Sequence, residues 1–428
     1  MYRKTYVEVN IDNLKSNVEN IVKNYNEYKY YFGVVKGNCY GHGTKYVINE
    51  LIDSGINYMA VSNLEEALEV RNINKEIPVL ILEPIHLEYI NICIENNITI
   101  TVHDYNYAKE LLKIELKNKL KIHLKIDSGM NRLGFKNKEQ LNEIYNNLKE
   151  NKNIEIEGIF THFATLGIND KDWDIQLENF KKITEDINLE EIQIVHLAKS
   201  AAFLEHPKIN IANGIRLGIA MYGYDPKPVF NEKGIKNKLR KIKREYLKRK
   251  NNVSSTNLEI PFELKPAFNM YTELIQIKEI KKGEFVGYGA AYRANENIKI
   301  GIMPVGYDDG IFRKSRGRYV SINNKKYQII GDVGMGMCAV KIDESVKIDD
   351  KIILIGENIS IKEVARYIGT SIYEIMCNVG RNIPRVYIKD GKVFGIDEWL
   401  IINLLKKRRG DFNRPKFQIK KIERKKYG

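Results

Sequence analysis

Short apolar runs alternate with segments of helical periodicity through the first half of the chain. Several runs are largely continuous stretches of hydrophobic residues, as expected of strands buried on both faces of a parallel sheet. Eight runs qualify as strands: Tyr30–Lys36, Ile56–Ser62, Ile77–Glu83, Ile98–Asp104, Leu120–Asp127, Ile154–Thr161, Ile192–Ala198 and Gly214–Gly223. Helical periodicity lies between them, for example at Leu64–Arg71, Tyr107–Ile114, Glu139–Leu148 and Gln176–Ile183. This α/β pattern predicts a (β/α)8 TIM-like barrel over residues 1–226, with its chemistry just after each strand.

The alternation stops after residue 226. Residues 227–262 are polar and basic, with a short predicted helix at Leu239–Lys250, and we interpret them as an insertion. Apolar runs then follow one another from 263 to 404, which predicts a mostly antiparallel β domain, and a basic extension occupies 405–428. The predicted strands are Tyr271–Ile280, Ile298–Val305, Tyr319–Ile322, Tyr327–Val333, Lys351–Ile355 and Arg385–Ile388, and the predicted helix is Ile361–Ile368.

The formal net charge of +14 is unevenly distributed. Residues 236–250 carry +8 and residues 406–426 carry +9, so the rest of the chain carries −3. Neither basic segment has aromatic residues interleaved at regular spacing. We interpret both as solvated appendages, which argues against a nucleic-acid partner.

Targeting signals and metal motifs are absent from the sequence pattern. The N-terminus has no apolar signal-peptide core, and no apolar run is long enough to span a bilayer. Four cysteines lie far apart, without the spacing of a metal site or a disulfide framework. We therefore expect a cytoplasmic protein with reduced thiols, no bound metal and no membrane partner.

The first barrel strand ends in the string VVKGNCYGHG, which starts at Val34. Lys36 interrupts an apolar run, and a partly buried amine can form a Schiff base with an aldehyde. A rim lysine paired with an acid is the plainer interpretation of position alone. The whole string, however, resembles the pyridoxal-phosphate lysine motif of the alanine racemase family, VVKANAYGHG. The resemblance covers residues 5–226 and 264–400, and implies Lys36 as the cofactor lysine and Tyr40 as a phosphate contact.

The later strand ends carry further pieces of the resemblance. KIDSGMNRLGF, from Lys125, is similar to the family's KVDTGMGRLG. The resemblance implies that Arg132 contacts the cofactor O3′ and the substrate carboxylate, and that Lys125 can be carbamylated to hold it. His162 follows the sixth strand, where the family places a histidine beside its catalytic tyrosine. Ser200 follows the seventh strand and suits a phosphate, although Lys199 stands where the family usually has asparagine.

The eighth strand contains an arginine, Arg216. Burial of its charge in a barrel strand would be unfavourable unless the residue has a function. By resemblance Arg216 donates to the pyridine nitrogen, while the backbone N–H groups of Gly218 and Ile219 bind the phosphate. Since arginine keeps its proton, the ring nitrogen stays unprotonated. The cofactor is then a weaker electron sink, which disfavours side reactions such as transamination.

Racemisation needs proton removal on one face of Cα and delivery on the other. Lys36 serves one face. VGYGAAY, which contains Tyr288, resembles the family's VSYGATY and implies Tyr288 as the second base. In the family this tyrosine reaches the partner subunit's barrel, so the resemblance implies a homodimer with shared active sites. Met335 would donate a backbone N–H to the substrate carboxylate.

Two positions depart from the family pattern. Gly336 replaces an aspartate, and Arg381 replaces a tyrosine that touches the phosphate and limits the substrate side chain. Arg381 suits the phosphate, but it could also bind a polar substrate. The resemblance therefore implies an enzyme that interconverts L- and D-alanine and supplies D-alanine for peptidoglycan. The alternative is a racemase of serine or another polar amino acid.

Two other classes share parts of this architecture. A decarboxylase with a barrel and a β domain would need a glycine-rich phosphate loop and an acidic partner for the pyridine nitrogen, whereas Arg216 stands here. A non-catalytic pyridoxal-phosphate carrier barrel would lack the β domain. Both are less consistent with the sequence than a racemase.

Overall fold

A computed structural model describes residues 1–164, 170–206, 208–225 and 260–398 of the chain. The helix predicted at 239–250 and the basic extension 405–428 lie outside these residues. The first strand, β1 (Tyr6–Asn10), joins the second of the two units below. The domain boundaries at 226, 262 and 404 stay predictions.

Within the described residues, eight parallel strands close into a barrel, in chain order around the ring. Their interior and exterior faces are both covered, so β3 and β5 are buried at every position. This explains the continuous hydrophobic runs and confirms the predicted fold class. The barrel strands are β2 (Tyr30–Val34), β3 (Tyr58–Val61), β4 (Val79–Ile81), β5 (Ile98–Val102), β6 (Leu120–Lys125), β7 (Ile154–Phe160), β8 (Ile194–Lys199) and β9 (Gly214–Leu217).

Several of the helices that surround the barrel begin at short polar residues. The side chains of Asn63, Asp104 and Asn137 each accept a hydrogen bond from the backbone N–H three residues later. Such caps satisfy donors that a helix start leaves unpaired. The helices are α1 (Ile11–Asn24), α3 (Val47–Asp53), α4 (Leu64–Ile73), α5 (Ile90–Glu95), α6 (Tyr105–Leu112), α7 (Lys138–Glu150), α8 (Asp170–Ile183) and α9 (Ser200–Glu205). The segment α2 (Lys36–Tyr40) is a single turn with left-handed backbone angles.

The second unit is built on a ten-stranded sheet, counted over the described residues. Adjacent strands of this sheet pair antiparallel, except that β1 and β19 run parallel to each other. The predicted mostly antiparallel domain is therefore confirmed. Its strands are β10 (Phe268–Thr272), β11 (Gln276–Ile280), β14 (Ile298–Met303), β15 (Tyr319–Ile322), β16 (Lys325–Ile330), β17 (Cys338–Ile342), β18 (Ile352–Ile355), β19 (Arg385–Lys389) and β20 (Lys392–Asp397), in the order β11-β14-β17-β16-β15-β18-β10-β1-β19-β20. The hairpin β12 (Phe285–Val286) and β13 (Tyr292–Arg293) and the helices α10 (Ile361–Ile368) and α11 (Ile372–Cys377) complete it.

The prediction of one strand over Tyr271–Ile280 was wrong. The chain forms two strands here, because β10 pairs with β1 and β18 while β11 pairs with β14 at the far end of the sheet. Short 3-10 turns lie at Leu87–Tyr89, Tyr288–Ala290, Tyr307–Asp309 and Arg313–Ser315. No helix among the described residues is long and apolar enough to cross a membrane. All four cysteines are unpaired.

Candidate active site

A cavity of about 650 Å³ opens where the barrel strands end. This is the end of a TIM-type barrel at which active sites are built. The cavity collects most of the residues singled out from the sequence, although they come from five different strand ends. Those that line it are Lys36, Tyr40, Lys125, Arg132, His162, Ser200, Arg216, Gly218 and Ile219.

The turn after Lys36 has an unusual backbone. Asn38, Cys39 and Tyr40 have φ angles of 56°, 53° and 51°, which lie in the left-handed region. Each such residue costs about 1–2 kcal/mol, so the surrounding structure must hold the turn. Glu66 does so at its start, where Oε1 accepts from the Gly37 N–H at 2.7 Å.

Gly41 ends this turn against helix α11. Its φ is +79°, and an added Cβ would lie 2.2 Å from the carbonyl oxygen of Met376. Only glycine fits that approach. The turn that carries Lys36 is thus packed directly on the second unit of the chain.

One corner of the cavity concentrates hydrogen-bonding groups around Gly218. Its N–H donates to Oγ of Ser200 at 2.8 Å. A Cβ added at Gly218 would lie 3.0 Å from the Tyr40 hydroxyl and 3.7 Å from that Oγ. The absence of a side chain therefore leaves an open corner edged by two hydroxyls and a backbone amide, which is a suitable cradle for a phosphate group.

The cavity is strongly cationic. Its charged lining comprises Lys36, Lys125, Arg132, Lys199 and Arg216, against the single carboxylate of Glu83. Burial, together with the positive charge of Arg132 and Arg216, lowers the pKa of Lys125 to about 8. Burial and the same two arginines lower the pKa of Lys199 to about 8. A bound anionic ligand would relieve the repulsion among these lysine and arginine side chains.

Arg216 is buried at 2% exposure, and its guanidinium is held by four acceptors. Nη1 donates to Nδ1 and to the carbonyl oxygen of His196, at 2.8 and 2.6 Å. Nη2 donates to the carbonyl oxygens of Thr161 and Leu197, at 2.7 and 3.1 Å. Arginine has five N–H donors, so its Nε–H alone has no acceptor among the described residues. One oriented donor is thus left for a ligand.

His162 lies beside this cation cluster. Burial is the main reason its pKa falls well below the usual value, and Arg216, Lys199 and Arg132 lower it further. The imidazole is therefore neutral near pH 7 and can accept a hydrogen bond.

Three predicted site residues lie away from the cavity lining. Tyr288 is 75% exposed and Met335 is 62% exposed, both on the second unit. They are neighbours, since a Cβ added at Gly334 would lie 3.7 Å from the Tyr288 ring. Arg381 donates from Nη1 and Nη2 to the two carboxylate oxygens of Glu69, at 3.3 and 3.1 Å. Its predicted phosphate contact stays a prediction.

Family models match both units. Residues 9–226 match the alanine racemase N-terminal domain, and residues 267–387 match the alanine racemase C-terminal domain. The chain belongs to the alanine racemase family. The family and the racemase class predicted from the sequence are confirmed.

Individual alanine racemases are similar over nearly their whole length. Alanine racemase 1 of Bacillus subtilis is 33% identical over 92% of this chain and 96% of that protein. The alanine racemase of Halalkalibacterium halodurans is 33% identical over 94% of this chain and 99% of that protein. The crystal structure of the Bacillus anthracis enzyme with bound L-Ala-P superposes with a TM-score of 0.83, at 32% identity, over 94% of this chain and 99% of that one.

The sequence interpretation missed several residues that support the site. Glu66 anchors the Lys36 turn, and Lys199, which the sequence marks only as a departure from asparagine, lines the cavity. His123 and Glu157 lie buried behind Arg216. One signal was present: Gly158 pairs with His123, and a Cβ at Gly158 would lie 2.5 Å from that imidazole. The missing side chain at Gly158 leaves the space that the buried His123 ring occupies.

Proposed function

We propose that the chain interconverts L- and D-alanine with pyridoxal 5'-phosphate as cofactor, and so supplies D-alanine for peptidoglycan in the cytoplasm. The observation that carries the proposal is the cavity itself, which unites an amine at Lys36, the open corner at Gly218 and the single free donor of Arg216. The family assignment supports the same activity, as does the L-Ala-P bound by the Bacillus anthracis enzyme.

The residues present fit this cofactor. Lys36 would hold its aldehyde carbon, and the corner formed by Tyr40, Ser200, Gly218 and the neighbouring Ile219 amide would hold its phosphate. Arg216 would meet the ring nitrogen. The cationic side chains of Arg132, Lys199 and Arg216 would balance the phosphate, the phenolate and a substrate carboxylate. Bound pyridoxal phosphate would withdraw electrons from the substrate Cα and so acidify its C–H bond.

Two groups must then exchange protons at opposite faces of Cα. Nζ of Lys36 serves one face. The second is the phenol of Tyr288, which lies outside the lining of this chain's own cavity and is 75% exposed. The cavity of one chain does not contain the Tyr288 phenol, which is exposed on the second unit of the same chain. Both observations are explained if Tyr288 of the partner subunit enters the cavity. We therefore propose a homodimer with two shared active sites.

The remaining polar groups orient the reactants. Arg132 lies on the cavity wall and suits both the cofactor O3′ and the substrate carboxylate. The Met335 backbone N–H, carried by the same exposed surface as Tyr288, would complete carboxylate binding from the partner. Neutral His162 accepts a hydrogen bond from the phenol of the entering tyrosine. Arg216 donates and does not protonate the ring nitrogen, because a guanidinium keeps its proton.

Lys125 is a candidate for carbamylation. Its amine is buried, its pKa is lowered to about 8, and cations surround it. Reaction of the neutral amine with CO2 forms an N–C bond and releases one proton, which converts a repelled cation into an anion. A carbamate at Lys125 would hold Arg132 in place.

The alternative substrate class has less support. A polar side chain would need Arg381 as its partner, yet that guanidinium is already paired with the Glu69 carboxylate. Glu69 is in turn fixed by the Thr44 hydroxyl, which donates at 2.6 Å. The decarboxylase alternative would need an acidic group near the ring nitrogen, where Arg216 lies.

The activity is tested with L-alanine and purified protein in D2O. We expect D-alanine to appear with deuterium at Cα, and borohydride to fix the cofactor covalently on Lys36. Release of CO2, or a reduced adduct on another lysine, would contradict the proposal. A panel including serine, aspartate and glutamate establishes the substrate.

A further inference from the structure

A line of hydrogen bonds runs through the barrel interior behind the cavity. Nη1 of Arg216 is 2.8 Å from Nδ1 of His196, whose Nε2 is 2.9 Å from Nδ1 of His123. Nε2 of His123 is 3.2 Å from Oε2 of Glu157. None of the four side chains is more than 3% exposed. We call these four residues the Arg216 network.

The two ends of the network determine where its protons lie. A guanidinium only donates hydrogen bonds, and a carboxylate only accepts them. Burial alone would raise the pKa of Glu157, but hydrogen bonds from His123, Lys121 and Tyr58 hold it at about 2. Glu157 is therefore a carboxylate, so His123 carries its proton on Nε2 and accepts on Nδ1. His196 must then carry its proton on Nε2 and accept from Arg216 on Nδ1.

Aromatic packing fixes the orientation of the His196 ring. It stacks between Phe32 and Phe160, with ring centroids 4.5 and 4.7 Å away and interplanar angles of 12° and 18°. Burial lowers the pKa of both imidazoles, so each carries a single proton. A proton on Nδ1 of His196 would face the Arg216 N–H group at 2.8 Å and push the guanidinium away.

We propose that His196, His123 and Glu157 are positioning residues for Arg216. The acceptor at position 157 fixes the tautomer of both imidazoles, and His196 then holds the guanidinium plane in the cavity wall. Held in this way, Arg216 keeps Nε–H as its one donor for a ligand. The inference rests on the proposed function, in which that donor meets the cofactor ring, and it adds three residues to the site that lie beyond contact with any reactant.

Four variants separate positioning from general structural support. His123→Phe cuts the network while it keeps a ring in the core, and Glu157→Leu removes the terminal acceptor. Glu157→Gln keeps an acceptor without the charge. Tyr58→Phe is the matched control, because the Tyr58 hydroxyl donates to the same Glu157 oxygen at 2.6 Å but lies off the line to Arg216. Thermal unfolding of each full-length variant reports the structural cost.

The first measurement is a 15N spectrum of histidine-labelled protein, which reports tautomers whether or not a cofactor binds. The chain has seven histidines, and His196→Phe assigns the signal of interest. We expect His196 to be protonated on Nε2 and unprotonated on Nδ1 in the parent protein. The opposite tautomer, or a doubly protonated ring, would overturn the inference even if the proposed function holds.

The second measurement is the dissociation constant and absorption spectrum of pyridoxal phosphate. We expect His123→Phe and Glu157→Leu to raise the dissociation constant about tenfold and to shift the absorption of the bound cofactor, since both free Arg216. Glu157→Gln and Tyr58→Phe should resemble the parent in both. The inference is overturned if His123→Phe and Glu157→Leu bind pyridoxal phosphate like the parent, whatever their melting temperatures, or if Glu157→Gln weakens binding as much as Glu157→Leu does. Failure of the parent protein to bind pyridoxal phosphate would instead refute the proposed function.

Discussion

The open corner at Gly218 can be closed by a single methyl group. In Gly218→Ala the new Cβ lies 3.0 Å from the Tyr40 hydroxyl and 3.7 Å from Oγ of Ser200, within the space assigned to the phosphate. The backbone at Gly218 does not have a positive φ, so alanine adds no conformational strain. The substitution therefore perturbs the ligand site more than the fold.

The expected cost follows from the contacts that the methyl group blocks. A hydrogen bond to a charged group contributes about 1.5–3 kcal/mol. Loss of one phosphate contact should weaken pyridoxal phosphate binding about tenfold to a hundredfold. Pyridoxal, which lacks the phosphate, should bind the variant and the parent protein equally.

The assay is a titration of cofactor-free protein with each ligand, followed by absorbance. Urea unfolding of the variant serves as the control, and its free energy should stay within about 1 kcal/mol of the parent value. Equal weakening of both ligands would show that the methyl group disturbs the whole cavity. Unchanged binding of pyridoxal phosphate would place the phosphate elsewhere.

Three further predictions concern single residues. Tyr288→Phe should lower racemisation by about 10²–10⁴-fold and retain solvent exchange at Cα for the one enantiomer whose proton faces Lys36; equal exchange of both enantiomers would argue against Tyr288 as a base. Labelled bicarbonate should give a 13C carbamate signal that grows with pH as Lys125, with its pKa of about 8, loses its proton; the signal should vanish in Lys125→Ala and persist in Lys199→Ala, and its absence from the parent protein would rule out carbamylation. Arg381→Tyr should leave alanine the substrate with the highest kcat/KM, since Arg381 is paired with Glu69; a serine or acidic substrate that leads before or after the change would contradict that assignment.

The barrel was predictable because its strands are buried on both faces. Runs such as Ile98–Val102 are buried at every position, and charged residues concentrate toward the strand ends. The motif residues at those ends meet in one cavity because parallel strands of a barrel end on the same side. The pattern of hydrophobic runs was therefore sufficient to predict the barrel in the first half of the chain.

Long-range pairing explains what the sequence did not reveal. β1 is a five-residue strand near the N-terminus that joins β10 and β19, some 260 and 380 residues away. The break between β10 and β11 depends on different strand partners, which a continuous apolar run does not encode. Glu157 and His123 belong to separate strands, so their link to Arg216 exists only in the folded barrel.

In the proposed homodimer, each active site takes Lys36 from one chain and Tyr288 from the other. Inactive Lys36→Ala and inactive Tyr288→Phe proteins, mixed under conditions of demonstrated subunit exchange, test this arrangement. With random reassortment half of the dimers are hybrids, and each hybrid contains one intact site. We therefore expect recovery of about a quarter of the parent racemase activity. No recovery, despite exchange of subunits, would show that each chain builds its site alone and would contradict the shared-site account.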